Sequence, residues 1–386
     1  MDKRIRIQGT TPVGQNSKVD FTEREAKPDQ CYGKAVSAFG IKCPIIREGD
    51  PLCSIVVDSV ISSSVDLEDG DIIGITESVV ARSLGVYATI DDVAKDVERI
   101  LHENGVSGNA KETATVAVYM PIYSRNRFAM ILKGIARAVH NIVFVMPDID
   151  EVGNVSKNHP FTGMDYEKYY AEICAAEGCD IHSHIYTDGL AFCTDAWHGT
   201  LDIDLVIDCR MHPTRWNDPK VPTITLKDIC KDKSDWGLLG SNKSTEERLK
   251  LFPSPRMCQG FCRAVKSKIK IHTGVDVAVC VYGDGCFKDP VTGIWEFADP
   301  VTMPGFTDAD LFISTPNEVK MKALIDQSES DDDVIRELQK KGDLFGKMGS
   351  MGTTPRLRRD LIASLMDLVS GSGDRATPVV VVKNYC

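Results

Sequence analysis

Apolar positions along this chain follow two rhythms: short continuous runs rich in valine and isoleucine, and longer stretches spaced by threes and fours. Ile72–Ile75, Thr113–Met120, Asn141–Met146 and Val275–Val281 are runs of the first kind, bounded by turn residues, and predict buried strands. A run ending at Asp208, Arg210 and His212, and the closing T-P-V-V-V-V-K-N-Y, predict two more. Helical spacing covers Leu52–Ile61, with Asp50 as N-cap and Pro51 at the first helical position. It recurs from Thr76 to a stop at Gly85, over Ile90–Leu101, behind Arg127, from Asp165 to about Ala176, and over roughly Gln259–Ile271. Another helix is predicted from Ser244, where Glu247 completes a capping box. Strands interleaved with helices of this size predict an α/β or α+β chain of mixed sheets with flanking helices.

Two strand ends carry clustered acids. Asp284 is expected just past the strand that ends at Val281, where open α/β sheets place ligand chemistry. Gly283, Gly285 and Gly293 permit positive φ and close backbone approach there. Asp284, Asp289, Glu296 and Asp299 offer hard oxygen ligands, and Lys288 a point charge for phosphate. A surface hairpin with solvated acids fits this stretch equally well. Asp148, Asp150 and Glu151 follow a second strand, and two such clusters suggest a divalent-metal site assembled from separate parts of the fold.

Anion chemistry has three candidates. Thr76, Glu77, Ser78 and Arg82 sit at a helix start whose amides attract phosphate, although a threonine there more often simply caps the helix. Arg125 and Arg127 open another helix against its dipole, a placement that an anion clamped between them would explain, with a solvated pair of no role as the alternative. Gly346, Gly349 and Gly352 lead into Thr353, Thr354 and Pro355, with Arg356, Arg358 and Arg359 in the next turn. Glycines, hydroxyls, helix amides and arginines together make that loop the strongest phosphate cradle, although it is not a Walker loop. His182 and His184 share one strand face with His198 beyond, but no third zinc ligand stands at a convincing spacing.

Composition narrows the class. The chain has 386 residues, 42% hydrophobic and 26% charged, enough for two or three soluble domains. A net charge of -11 argues against broad phosphate neutralisation on nucleic acid. The N-terminus lacks a signal-peptide core, no run reaches membrane-spanning length, and the 13 irregularly spaced cysteines read as reduced thiols. A cytoplasmic enzyme or binding protein is expected.

Several segments then resemble one family, the coenzyme F-420 γ-glutamyl ligases. They are C-P-I-I-R-E-G-D, L-E-D-G-D-I-I-G-I-T-E-S-V-V-A-R, S-R-N-R-F-A-M-I-L-K-G-I-A-R-A and D-E-V-G-N. The stretch from Tyr282 to Pro300 resembles it too, and G-T-T-P-R-L-R-R-D-L with S-G-S-G-D-x-x-T-P-V-V match its longer bacterial branch. The resemblance implies a two-domain ligase architecture: an arm over 1–35, a ligase-like domain over 36–215 and a second domain over 216–386. It implies joining of L-glutamate to a carboxylate-bearing deazaflavin precursor by a γ-linked amide, with GTP or ATP, Mg or Mn, and a monovalent cation such as K. It also implies a homodimer with no nucleic-acid or membrane partner. Carried over, Pro44, Ile45, Ile46, Thr76, Glu77, Ser78 and Arg82 would line the nucleotide site. Gly349, Gly352, Thr353, Thr354 and Arg356 are taken to complete it, with Lys288, Arg125 and Arg127 as catalytic cations. Asp148, Asp150, Glu151, Asp284 and Asp289 would hold metal, Asp150 and Asp284 foremost.

Where archaeal members carry a Ser-Lys pair, this chain has Glu77 and Ser78, so a phosphate-facing lysine is lost unless Arg82 or Lys288 replaces it. The archaeal D-T-x-G-R-P segment is absent. A folate-like or other γ-glutamyl acceptor, and a non-catalytic nucleotide- or metabolite-binding homologue, stay open as alternatives. A zinc hydrolase using His182, His184 and Asp208 is the weaker third reading.

Overall fold

The computed structural model describes residues 35–150, 153–186, 202–209, 221–288, 295–308, 358–370 and 376–385, with the single positions 330 and 333. The valine and isoleucine runs build its first sheet. Its order is β1 (Ser37–Ile41), β13 (Val379–Lys383), β2 (Ile72–Thr76), β11 (Ala278–Lys288) and β12 (Trp295–Phe306). The period-2 geometry of a strand sends alternate residues to opposite faces. Ile73, Ile75, Val279, Val281, Val379 and Val381 fill one core, under α1 (Leu52–Ile61) and α7 (Pro255–Thr273). Ile72, Cys280, Tyr282, Val380 and Val382 fill the other, under α8 (Arg358–Ser370). Each such side chain contributes roughly 1.5–3 kcal/mol on burial. At Gly74 the helix comes so close that a Cβ would overlap the sulfur of Met366.

β2 and β11 pair in parallel, so the chain must leave this sheet and cross back. The excursion contains the second sheet, with order β6 (Asp180–Tyr186), β5 (Asn141–Pro147), β4 (Thr115–Tyr119), β7 (Leu205–Asp208) and β8 (Thr223–Thr225). All its pairings are parallel. Such strands are buried on both faces, which is why they read as unbroken apolar runs. Val116, Val118, Ile142, Phe144, Leu205 and Ile207 pack under α3 (Ile90–Glu103), α5 (Arg127–Ala138) and α6 (Tyr166–Ala176). Thr89 starts α3 with a full capping box: its hydroxyl accepts from the Asp92 amide at 3.0 Å, and Asp92 accepts from the Thr89 amide at 2.8 Å. A short α4 (Ala110–Thr113) precedes β4.

The third sheet is small and antiparallel: β3 (Tyr87–Thr89), β10 (Arg248–Lys250) and β9 (Asn242–Thr245). It replaces the helix expected from Ser244. The capping-box spelling is overridden because Leu249 and Leu251 alternate into the second sheet's core, both fully buried, a pattern only a strand can satisfy. Glu246 and Glu247 form the turn and pair with Lys243 and Lys133.

Three other expectations change. Asp50 does not cap α1; its carboxylate accepts from the Arg47 amide at 2.6 Å, and Pro51 occupies the N-cap position. α7 begins four residues before Gln259, at a Ser254 cap followed by Pro255 at N1. The strand carrying Val281 does not stop there. β11 runs on to Lys288, so Asp284 lies within a long hairpin arm, beside register shifts against β12. Gly283 is in extended rather than positive-φ backbone, and its role is close approach. The fold class itself, mixed sheets with flanking helices, is the one the hydrophobic rhythm predicts. The expected domain boundary at 215 lies outside the described residues.

Candidate functional site

The end of β2 is where the first and third sheets approach each other. Thr76 stands at the N-cap position of α2 (Glu77–Ser83), with extended backbone, but its hydroxyl makes no capping bond. It lines a cavity of about 630 Å³ instead. Backbone hydrogen bonds fix the walls: the Thr76 amide donates to the Pro378 carbonyl at 2.9 Å, and the Cys43 amide to that of Ala376 at 3.0 Å. These bonds bring two segments together, Pro44, Ile45 and Ile46 with Thr76, Glu77, Ser78 and Arg82, although some thirty residues of sequence separate them.

The hairpin β9–β10 closes the opposite side with Asn242, Lys243, Ser244 and Lys250, none of them named as a site residue by the sequence reading, which took Ser244 for a helix cap. Their only signal is the lysine at 250, placed between two leucines in an alternating strand. Lys250 donates to Glu77 Oε1 at 2.7 Å, and the two side chains are 9% and 7% exposed. Glu77 can lie flat over β11 because position 283 has no Cβ; one there would overlap Glu77 Cγ. Tyr87 adds an aromatic wall, held by Arg248, whose guanidinium stacks 3.5 Å from the ring centroid while bonding Glu48 at 2.8 Å. Asp367, Ser370 and Thr377 complete the rim. The lining thus carries Arg82, Lys243 and Lys250 with Glu77 and Asp367, Lys243 being paired with Glu246 at 2.5 Å, beside apolar Ile46, Val79 and Pro378. Cys43 also lines the cavity, but burial pushes its thiol pKa up, so it stays a protonated, unreactive wall.

Other sequence-selected residues lie elsewhere. Arg125 is exposed in the turn before α5 and borders a separate hollow of about 290 Å³ between α5 and α6. Arg127 opens α5, donates to the Leu238 carbonyl at 3.2 Å and lies over the Phe128 ring. Asp148 is exposed at the end of β5. Asp150 is buried and accepts from the Tyr123 amide at 2.6 Å, the Asn154 amide at 2.7 Å and the Asn154 side chain at 2.8 Å. It therefore ties the loop after β4 to the loop after β5. Neither Asp148 nor Asp150 borders the larger cavity. Asp284 and Lys288 belong to β11, with side chains outside the described set. Glu151, Asp289, Gly349, Gly352, Thr353, Thr354 and Arg356 are also outside it.

Among the described residues no three histidine, cysteine, aspartate or glutamate side chains gather to hold a metal ion. The zinc-hydrolase reading fails on topology. β6 carries His182 and His184, and β7 carries Asp208, three strand positions apart in the sheet. That is about 14 Å of backbone separation, too far for one ion to bridge. No described helix is long and apolar enough to cross a membrane.

The fold and cavity define a mixed α+β protein with a charged, partly apolar hollow between its first and third sheets. The family model described as F420-0:Gamma-glutamyl ligase matches residues 40–384, and the chain belongs to that family. No curated protein matches. A crystal structure of Mycobacterium tuberculosis shikimate dehydrogenase is similar over 48% of this chain and 57% of its own, at 12% identity and a TM-score of 0.20. The match thus spans little more than half of that enzyme.

Proposed function

We propose that this protein is an F420-0:γ-glutamyl ligase-like enzyme, joining L-glutamate to a carboxylate-bearing acceptor at the expense of a nucleoside triphosphate. Membership of the ligase family supports the reaction class. The observation that carries the site is the convergence of Pro44–Ile46, Thr76–Arg82 and the β9–β10 hairpin on one hollow with more cations than carboxylates. Its volume of about 630 Å³ falls in the range of small-molecule and cofactor pockets.

In this reading the terminal phosphoryl group passes to the acceptor carboxylate, giving an acyl phosphate. The glutamate amine attacks that carbonyl and phosphate leaves. Such transfers ask the protein mainly for positioning and charge compensation. Arg82, Lys243 and Lys250 would face the phosphates, and Tyr87 with Ile46 and Val79 would take the base. A divalent cation, Mg or Mn, would enter with the phosphates and offset their charge. Asp148, Asp150, Glu151, Asp284 and Asp289 are proposed as its protein ligands, Asp150 and Asp284 foremost, with Asp148 and Asp150 reaching it from outside the lining of the hollow. GTP or ATP as donor, a monovalent cation, a homodimer and a cytoplasmic setting belong to the same proposal.

The test is phosphate release from GTP or ATP with Mg or Mn, measured with and without L-glutamate and a deazaflavin or folate-like acceptor. Release that needs both substrates, with a γ-glutamyl amide in the product mass, is the expected result. Tight nucleotide binding without turnover for any acceptor would replace the ligase with a binding protein.

A further inference from the structure

We infer that Lys250 is the cation that binds the phosphate chain in this cavity, with Glu77 as its positioning residue. The inference rests on reading the hollow as a nucleotide site, and it assigns the phosphate end of that site to the β10 strand. Leu249 and Leu251 are fully buried in the core of the second sheet, so strand alternation turns Lys250 the other way, into the cavity. There its ammonium meets Glu77 Oε1 at 2.7 Å, both side chains being less than a tenth exposed.

Desolvating two charges is costly, and an ion pair this deep seldom improves stability over a well-packed apolar pair. A role in binding supplies the reason for it. An ammonium carries three donors, and Glu77 takes one, leaving donors for an anion in the hollow. The pair also fixes the long lysine stem, which in solvent would have to be ordered at the moment of binding. Glu77 is itself fixed, since the missing Cβ of Gly283 lets its side chain lie against β11. Arg82 on α2 and Lys243 on β9 border the same cavity from two further elements. Lys243 is shared with Glu246, and Asp367 stands on the rim, so Lys250 and Arg82 are the cations that a phosphate chain meets without an acid on their own strand or turn.

The experiment is calorimetric titration of the full chain with guanosine, GDP and GTP, and with the adenosine series, for wild type, Lys250→Met, Lys250→Arg and Glu77→Gln. Wild type is expected to gain affinity with each added phosphate. Lys250→Met should lose about 10- to 100-fold for the triphosphate while keeping its affinity for the nucleoside, as expected for one charge-assisted contact. Lys250→Arg should recover part of the loss, and Glu77→Gln should weaken triphosphate more than nucleoside binding. A merely structural pair would instead lower affinity for all ligands alike. Triphosphate affinity in Lys250→Met within about twofold of wild type, or an equal loss for nucleoside and triphosphate, overturns the assignment while the cavity remains a nucleotide site. If wild type binds no nucleotide of either series, the site and the assignment fall together. Should Lys250→Met fail to fold, Lys250→Arg and Glu77→Gln decide by the same comparison.

Discussion

Gly283 and Glu77 are packed so closely that no side chain fits between them: a Cβ on residue 283 would overlap Glu77 Cγ. The glycine sits in extended β11 next to Tyr282, which pairs with Thr76 across the parallel register. Gly283→Ala must therefore push Glu77 away from Lys250. Overpacking of this kind costs about 1–3 kcal/mol. The variant is expected to melt lower than wild type and to lose glutamate-dependent phosphate release. Retention of full turnover would show that the geometry of the pair is not needed.

Asp150 has a structural task whatever else it does. Its buried carboxylate accepts three N–H bonds from Tyr123 and Asn154. Asp150→Asn removes the charge and sets an amide against donors. Bonds to a charged group are worth about 1.5–3 kcal/mol each. Thermal unfolding in metal-free buffer should show a marked drop in midpoint. An unchanged midpoint without metal would return Asp150 to a purely ligating role.

Asp284 gives the complementary expectation. As a proposed metal ligand on β11, its replacement by asparagine should abolish Mn-dependent phosphate release and leave the metal-free melting midpoint as in wild type. Normal turnover would remove it from the metal site.

The pH response of the turn before β11 follows from Asp276. A hydrogen bond from Lys270 at 2.6 Å and the Lys266 ammonium 2.9 Å away hold its carboxyl down to about 2. An unfolded aspartate titrates near 3.9, so the folded state is favoured above that pH, and the gain is lost as pH falls through about 2. Asp276→Asn should melt below wild type at neutral pH. The gap should narrow from about pH 4 downward and shrink with added salt, because the group is exposed. A gap that stays constant across this range would show that the lysine pairing does not contribute.

The helix cap at Thr89 offers a direct stability check. Thr89→Ala removes one half of the reciprocal box with Asp92 and is expected to cost about 1 kcal/mol. Denaturant midpoints measure it, and no change would mean that the amides find water as readily.

The sequence by itself determined the elements whose rhythm is unambiguous. β2, β4, β5, β11 and β13 were legible because valine and isoleucine fill both faces, and α3 and α6 because their apolar residues keep helical spacing. It also placed Pro44–Ile46 and Thr76–Arg82 in one group, through family resemblance. Tertiary structure decided the rest. Ser244–Glu247 spells a helix start locally, but burial of Leu249 and Leu251 makes it a hairpin, since a core contact outweighs a cap worth about 1 kcal/mol. Asp150 reads as a ligand by its position after a strand, and the fold adds a loop tie that the sequence does not show, because the Tyr123 and Asn154 amides lie within reach. Lys250 left no more trace than a lysine between two leucines, since its partner Glu77 is 173 residues away in the chain. Only the fold can put two such charges 2.7 Å apart out of water.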